Sequence, residues 1–319
     1  MILSLNELIE EQIKDYICQV ILKKQEGKFA LDSQYFYLPK KCLCKLYLNK
    51  FIKDNRIKDY SLFYKNNNGK IKGAIIAKKL DWDTNHFGFV ICRIFDIFGD
   101  EKNIHAELLD KFLTNLEKKE IKQILCRVNI ENLPVIWSLE KAGFNIMGVK
   151  VLMSAEKIQI KNQIALTHII FRKSKKNDIE VLKGITRESF KYSHFFNDPQ
   201  FNKVKAKEVY AKWVEDAIRN NSQNTFIAEY NNEPAGFISY SLSQICGSAI
   251  AVIDIITVLE KVKHKGIGRM LINEMFKMLP LTTKYVFANT MINNTPAISL
   301  YLKTGFKIKG YLICLHKWL

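Results

Sequence analysis

The chain has 319 residues, of which 48% are hydrophobic, 12% aromatic and 25% charged. This composition excludes a disordered chain, and the length exceeds one ordinary core, so two domains of roughly 100–200 residues each are expected. The 49 basic residues outnumber the 32 acidic ones and leave a net charge of +17. Such a charge attracts a small polyanionic ligand or a nucleic acid, although dispersed solvent-exposed lysines give the same count.

The sequence argues against secretion, membrane insertion and metal binding. Its first residues, MILSLNELIEEQIK, carry acids where a secretory signal needs a basic start and an apolar run. The longest apolar stretch, 248–259, contains Asp254 and is far shorter than the ~20 residues that cross a bilayer. Seven scattered cysteines, of which only Cys42 and Cys44 are close, complete no zinc ligand set. We therefore predict a cytoplasmic protein without a metal site.

Apolar periodicity and turn residues predict a series of helices and strands. In the first half, a helix over 106–118 precedes a strand over 123–128, and a further helix precedes a strand that opens at Gly143 and Phe144. In the second half, a strand over 167–172 precedes helices over 178–190 and 205–219 and a hairpin of 226–230 with 234–242. A buried strand over 249–258, a helix over 268–279 and a strand over 285–290 follow.

A repeat relates the two halves. A constant offset of 162 residues aligns Asn132 with Asn294 and Gly143-Phe144 with Gly305-Phe306, together with a proline, an isoleucine and a lysine between them. In both halves the motif follows a helix and a strand, so agreement extends beyond the motif itself. The sequence therefore predicts two copies of one module, residues 1–160 and 161–319, with the boundary in the stretch 157–166.

The strongest local motif follows the strand over 249–258. From Lys263 to Gly268 the chain reads Lys-His-Lys-Gly-Ile-Gly, a short basic loop that leads into a helix. Glycine lets backbone N–H groups approach a phosphate closely, and a helix N-terminus supplies roughly half a positive charge. The loop lacks the lysine motif of a P-loop and the third glycine of a dinucleotide fingerprint. On its own it also fits a tight strand-to-helix turn.

This loop resembles the acetyl-CoA loop of the GNAT superfamily of N-acetyltransferases, Arg/Gln-x-x-Gly-x-Gly/Ala, which starts at the fifth position after a strand valine, here Val258. Lys263 replaces the first Arg or Gln. A downstream series resembles the second motif of the family at the right distance: Asn294, Ala297, Leu300, Tyr301, Gly305 and Phe306. The resemblance covers residues 167–319. It implies an α/β fold of the GNAT type, a mixed, largely antiparallel sheet flanked by helices, with acetyl-CoA as co-substrate.

The resemblance also assigns roles to individual residues. The pyrophosphate would be held by the backbone amides of Lys263, His264, Lys265, Gly266, Ile267, Gly268 and Arg269. Val258 would present an N–H to the thioester carbonyl, Asn294 would lie near the pantetheine arm, and Ala297 would belong to the same cofactor site. Tyr301 would protonate the departing thiolate as a general acid, with core packing as its alternative role. Asp254 stands where some members hold a catalytic glutamate, although a satisfied strand carboxylate fits equally.

The first half departs from both motifs. At the common offset, Leu139 stands opposite Tyr301, and the segment 104–106, Ile-His-Ala, stands opposite Gly266-Ile-Gly. Without close-approach glycines and without a proton donor, this copy is predicted to be a degenerate GNAT-like module that neither binds CoA nor catalyses. We expect it to shape the acceptor site or a dimer face, which leaves a homodimer open.

Two further segments resemble dTDP-fucosamine (TDP-4-amino-4,6-dideoxygalactose) acetyltransferases. Residues 80–89, LDWDTNHFGF, resemble their Trp-Asp…Phe-Phe-Gly element, and residues 192–213 resemble their Ser-Arg-Phe…Asp-Pro…Tyr-x-x-Trp segment, with His194 in place of the arginine. The likeness implies an N-acetyltransferase of polysaccharide biosynthesis that acts on a nucleotide-linked amino-deoxysugar. A GNAT acting on a protein N-terminus, an aminoglycoside or a tRNA amine is the alternative enzyme. A non-catalytic scaffold that binds nucleic acid is less favoured, because Gly266, Gly268 and Tyr301 are intact.

Overall fold

The computed structural model of the chain describes residues 1–4, 7–8, 10–23, 41–42, 44, 54, 57, 59–99, 102–156, 169–189, 191–221, 224–245 and 247–319. The predicted boundary stretch, 157–166, lies outside the described residues. The chain divides into two compact units. One comprises Met1–Val149 with Gly310–Leu319, and the other comprises Lys150–Lys309.

The first unit holds a six-stranded mixed sheet. Its elements are β1 (Ile2–Ser4), α1 (Glu10–Lys23), β2 (Leu62–Lys65), β3 (Ile71–Lys79), α2 (Asp81–Phe87), β4 (Val90–Gly99), α3 (Lys102–Glu117), β5 (Ile121–Asn129), α4 (Leu133–Lys141), the start of β6 (Asn145–Glu156) and most of β12 (Lys307–Trp318). The strand order is β1-β2-β3-β4-β5-β12, in which only β4 and β5 run parallel.

The core of this unit lies where α3 and α4 cover the sheet. Leu108, Phe112 and Leu116 recur on α3 at helical spacing and are all buried, as expected of the inner face of an amphipathic helix. On α4 the buried face includes Ile136 and Leu139, and Leu139 is fully buried. The residue opposite Tyr301 in the repeat is therefore a core residue.

The second unit holds a sheet of the same design. Its elements are the rest of β6, β7 (Ile169–Lys173), a 3₁₀ turn (Lys176–Asp178), α5 (Ile179–Ser189), α6 (His194–Asn197), α7 (Lys203–Asn221), β8 (Thr225–Tyr230), β9 (Glu233–Ile245), β10 (Ser248–Val258), a second 3₁₀ turn (Glu260–Val262), α8 (Ile267–Met278), β11 (Thr283–Met291) and α9 (Thr295–Lys303). The strand order is β6-β11-β10-β9-β8-β7, and only β10 and β11 run parallel. Apolar residues of α5 and α7 pack on Phe237 and Ile255.

The predicted repeat is confirmed by the element boundaries. β5 and β11, α4 and α9, and β6 and β12 each begin and end 162 residues apart. In both copies a glycine follows the helix with a positive φ, 83° at Gly143 and 89° at Gly305. A side chain rarely adopts this left-handed conformation, which ends the helix and turns the chain into the next strand.

The two repeats exchange their last strands. β6, the last strand of the first repeat, pairs with β11 of the second, for example Leu152 with Asn289. β12, the last strand of the second repeat, pairs with β5 of the first, for example Leu315 with Cys126. The predicted division at residue 160 gave each repeat its own last strand. The compact units differ from it because each sheet is completed by a strand from the other repeat.

Candidate functional site

Two parallel strands separate at the centre of the second unit. β10 pairs with β11 only from Ala249 to Val252, whereas β10 continues to Val258 and remains paired with β9 on its other side. Within the described residues, the last part of β10 therefore has a backbone edge that β11 does not cover. Parallel strands that separate in this way leave N–H and C=O groups facing an opening.

The backbone of Val258 faces this opening. Leu259 N–H donates to the carbonyl of Ala235 at 2.8 Å, so the next residue along β10 is hydrogen-bonded to the β9 side. Adjacent residues in an antiparallel pair alternate between bonded and non-bonded positions. Val258, which lies opposite Gly236, accordingly directs its N–H and C=O away from β9.

The predicted glycine loop connects β10 to α8 at the end of this edge. His264 and Gly266 both have left-handed backbone conformations, with φ of 64° and 78°, and α8 starts directly after Gly266. The first N–H groups of a helix lack intrahelical acceptors and carry the positive end of its dipole. The exposed Gly266 and Arg269 flank those groups, so the loop offers an anion site made of backbone amides.

The basic side chains of the loop have neighbours in the same unit. Lys263 pairs with Glu260, and the Lys265 ammonium lies 5.4 Å from the centre of the Tyr230 ring. Ile267 is buried, so only its backbone is available to a ligand. These positions agree with a site in which amides make the main contacts and lysines add charge around them.

The two loop glycines have different surroundings. A β-carbon added to Gly266 would meet no atom within 4 Å, whereas one added to Gly268 would lie 3.1 Å from Leu300 Cδ2 and 3.7 Å from Val258 Cγ2. Gly266 thus borders open space, and Gly268 allows α8, α9 and the end of β10 to pack closely. At Gly268 the close contact is with protein atoms and not with open space for a phosphate. It places α9, the helix that carries Tyr301, against the glycine loop.

In the first unit the residues that correspond to the glycine loop are packed into the protein. Ile104 and His105, which correspond to Gly266 and Ile267, are buried in the first turns of α3. A β-carbon on Gly73 would overlap Ile104, and one on Gly99 would lie 2.8 Å from the His105 ring. Glycines on β3 and β4 therefore make room for the residues that replace the loop.

Tyr301 is the buried residue of α9. Its side chain is 4% exposed and its ring packs against Phe306, with ring centres 5.2 Å apart. Burial raises the pKa of the phenol above its usual range, so the group stays protonated at neutral pH. Its hydroxyl makes no hydrogen bond to another residue within the described part of the chain.

Asn294 and Ala297 form the start of α9. The Asn294 side-chain oxygen accepts from the backbone N–H of Ala297 at 3.4 Å, and its amide nitrogen donates to Thr290 Oγ1 at 2.9 Å. Asn294 is therefore the N-cap of the helix that carries Tyr301. Its expected place near a pantetheine arm stays a prediction.

Asp254 lies on β10 four residues before Val258. Its Oδ1 accepts a hydrogen bond from Ser241 Oγ at 3.1 Å. Although the residue reaches solvent, desolvation by the surrounding protein raises the pKa of its carboxyl to about 6, and the Ser241 hydrogen bond opposes that rise. A carboxyl with a pKa close to neutral can exchange a proton at physiological pH.

The two aromatic segments expected to contact the acceptor lie in different units. In the first, the Trp82 and His86 rings stack with centres 5.3 Å apart. In the second, Tyr210 and Trp213 meet edge to face at 5.3 Å, and both Tyr192 and Trp213 are exposed. His194, which replaces the arginine of the resembled segment, is buried.

Two residues of this region, Ser241 and Leu300, were not predicted as functional from the sequence. Ser241 is one of several serines that alternate along β9, which is typical of a half-exposed strand and gives no hint of its neighbour on β10. Leu300 was part of a matched motif, but its contact with Gly268 depends on how two helices pack. Both roles depend on contacts between separate elements.

Neither a metal cluster nor a membrane helix is present in the part of the chain that the structure describes. No three His, Cys, Asp or Glu side chains there come close enough to hold a metal ion together. Among the described helices, none combines the length and the apolarity that crossing a membrane requires.

Comparison with known proteins identifies the region around this site. Residues 190–306 match the family model described as acetyltransferase (GNAT) family. The chain is also 26% identical over 144 residues to the spore coat polysaccharide biosynthesis protein SpsD of Bacillus subtilis (strain 168). That match covers 44% of this chain and 48% of the relative, so it spans about half of the curated protein.

Solved structures resemble the whole chain in fold. A GCN5-related N-acetyltransferase from Sphaerobacter thermophilus has a TM-score of 0.66 at 10% identity, over 100% of this chain and 95% of that one. A tandem GNAT protein from the clavulanic acid biosynthesis pathway has a TM-score of 0.60 at 9% identity, over 100% and 98% of the two chains. The predicted GNAT fold, with its mixed and largely antiparallel sheet, is confirmed.

Proposed function

We propose that this chain, whose residues 190–306 match the acetyltransferase (GNAT) family, transfers acetyl from acetyl-CoA to the amine of a nucleotide-linked amino-deoxysugar. One observation carries the proposal. The glycine loop, the uncovered end of β10 and the second half of α9 meet at Gly268, where an added β-carbon would lie within 4 Å of both Leu300 and Val258. This contact supports a common site for the glycine loop, the free edge of β10 and Tyr301, which follows Leu300 on α9.

Acetyl-CoA fits the chemistry of this region and supplies the acetyl thioester. The amides at the start of α8, from Lys263 to Arg269, would hold its pyrophosphate at the open space beside Gly266. The N–H of Val258 would donate to the thioester carbonyl and stabilise negative charge on its oxygen. Asn294 and Ala297 would border the pantetheine arm, where the N-cap fixes the direction of α9.

Two proton transfers complete the proposed direct attack. Asp254, as the carboxylate, would accept the proton that the amine loses while its nitrogen bonds to the acetyl carbon. Tyr301 would donate its proton to the sulfur as the carbon–sulfur bond breaks. The products are an amide and free CoA thiol, and the two side chains recover their protonation states by exchange with water.

Three observations support the choice of acceptor. The segments around Trp82 and Tyr192–Trp213 resemble those of amino-sugar acetyltransferases, and the sequence relative is described as a polysaccharide biosynthesis protein. A nucleotide sugar and CoA are both polyanions, so the net charge of +17 would attract both of them. A protein N-terminus or an aminoglycoside would make little use of the positive charge, and a tRNA amine would use the charge but not the resemblance to amino-sugar acetyltransferases.

The proposal predicts which acceptors are turned over. With acetyl-CoA present, we expect thiol release on adding nucleotide-linked 4-amino-6-deoxysugars, and little release with the free amino sugar, aminoglycosides or peptides. A thiol-reactive chromophore follows the reaction, and mass spectrometry of the acceptor should show a gain of one acetyl group. Turnover of aminoglycosides or peptides, with none of any sugar nucleotide, would contradict the proposed acceptor and favour the alternative enzyme. Tight binding of tRNA or duplex without any thiol release would favour the scaffold function.

A further inference from the structure

The ladder between β9 and β10 contains an irregularity at the proposed base. Ile253 lies opposite Tyr240 and Ile255 lies opposite Ser239, so Asp254 is an extra residue with no counterpart on β9. Such a β-bulge changes the direction of the side chain it carries and is enriched beside active sites. The bulge therefore sets the direction in which the Asp254 side chain leaves the strand.

The bulge alone does not fix the carboxyl, because an aspartate on a strand still rotates about two side-chain bonds. Ser241 supplies the remaining constraint. It lies on β9 opposite Val252, two residues before Asp254, and its Oγ donates to Asp254 Oδ1 at 3.1 Å. A donor on a rigid neighbouring strand selects one carboxyl rotamer and leaves the second oxygen, Oδ2, for another partner.

We infer that Ser241 is the positioning residue of the reaction, holding the Asp254 carboxylate at the β10 bulge so that its second oxygen can accept the amine proton. The inference rests on the proposed function, since it concerns the base of that reaction. It adds a residue that does not touch the substrate and acts only through Asp254.

Desolvation has the larger effect on the pKa of the Asp254 carboxyl, and the Ser241 hydrogen bond opposes it. Desolvation raises the pKa of Asp254, and the Ser241 hydroxyl lowers it by bonding to the charged form. Among the described residues of β9, β11, α5 and α8, no charged side chain contributes to this pKa. Removing the hydroxyl therefore leaves desolvation unopposed, and the carboxyl should lose its proton only at higher pH.

The alternative is a purely structural role, in which Ser241 and Asp254 form a polar pair that stabilises the sheet. A pH profile separates the two roles. A structural pair changes stability and leaves the pH dependence of the reaction unaltered, whereas a positioning residue shifts the acid side of the kcat/KM profile. For a base that must be ionised, activity falls as the pH drops through its pKa.

The test compares Ser241→Ala with wild type, using acetyl-CoA and the amino-sugar nucleotide that gives the fastest thiol release. One hydrogen bond to a carboxylate shifts its pKa by roughly one unit, so the acid side should move up by about one pH unit. Activity should fall about fivefold at pH 6 and change little at pH 8. Ser241→Thr keeps a hydroxyl and should restore the wild-type profile, and Asp254→Asn should lose the ionisation.

Ser243→Ala is the matched control, because it makes the same change two residues further along β9, opposite Ile250. It should leave the profile unchanged. Carbon-13 NMR of the Asp254 carboxyl, identified by its loss in Asp254→Asn, gives the pKa without any turnover and should show the same upward shift in Ser241→Ala. An active enzyme whose profile does not move in Ser241→Ala overturns the inference and leaves the proposed function standing. A wild-type chain that acetylates no amine overturns both.

Discussion

Replacing Tyr301 by phenylalanine is expected to lower kcat roughly 10²–10⁴-fold, with a much smaller effect on the KM for acetyl-CoA. Thiolate leaves poorly unless its charge is quenched, and the raised pKa of Tyr301 keeps this donor protonated over the whole neutral range. The substitution retains the ring that packs 5.2 Å from Phe306, so the fold should be nearly unaffected. Steady-state kinetics at saturating acetyl-CoA, with a single-turnover experiment to isolate the chemical step, measure the effect.

Leu139 provides the control for this variant inside the same chain. It occupies the position of Tyr301 in the first repeat and is fully buried in the core of the first unit. Leu139→Ala should lower the free energy of unfolding by about 2–5 kcal/mol while the rate per folded molecule stays the same. If Tyr301→Phe turned over at close to the wild-type rate with chemistry limiting, the proton would come from water or from another residue.

Replacing Gly266 by aspartate is expected to weaken acetyl-CoA binding far more than replacing it by asparagine. Both residues tolerate the left-handed conformation at this position, φ 78°, and both would extend into the open space beside it. They differ in charge, and a carboxylate about 4 Å from a phosphate costs about 4 kcal/mol at the effective dielectric of a protein surface. The Asp variant should therefore bind roughly 10²–10³-fold more weakly than the Asn variant.

Circular dichroism and thermal unfolding of the two Gly266 variants check that both are folded to the same extent. Gly268 is less suitable for this test, since any side chain there would press on Leu300 and disturb α9. Equal affinities of the Asp and Asn variants for acetyl-CoA would place the phosphate site away from the glycine loop.

The repeat and its elements could be predicted because they depend on local patterns. The Asn…Gly-Phe motif, with its helix cap and its glycine of positive φ, is determined by residues that are close in sequence. The exchange of β6 and β12 could not be predicted, because both strands have the same pattern and would fit either sheet. Which of β5 and β11 each strand joins depends on contacts more than 100 residues apart in the chain.

In the candidate site, too, some features follow from local sequence patterns and others depend on contacts between distant residues. The order of the glycine loop, Asn294 and Tyr301 along the chain was sufficient to indicate a cofactor site. The motif assigns Gly266 and Gly268 the same role, whereas in the structure Gly266 borders open space and Gly268 packs against Leu300 and Val258. Ser241 lies 13 residues before Asp254 and becomes its neighbour only through the register of β9 and β10.

Calorimetric titration of the wild-type chain with acetyl-CoA tests the central claim most directly, which is that the second repeat alone holds the cofactor. We expect one site per chain, because buried Ile104 and His105 stand in the first unit where the second unit has its glycine loop. The heat of that single site should disappear in Gly266→Asp. Two equivalent sites per chain, or one site that Gly266→Asp leaves intact, would contradict the account.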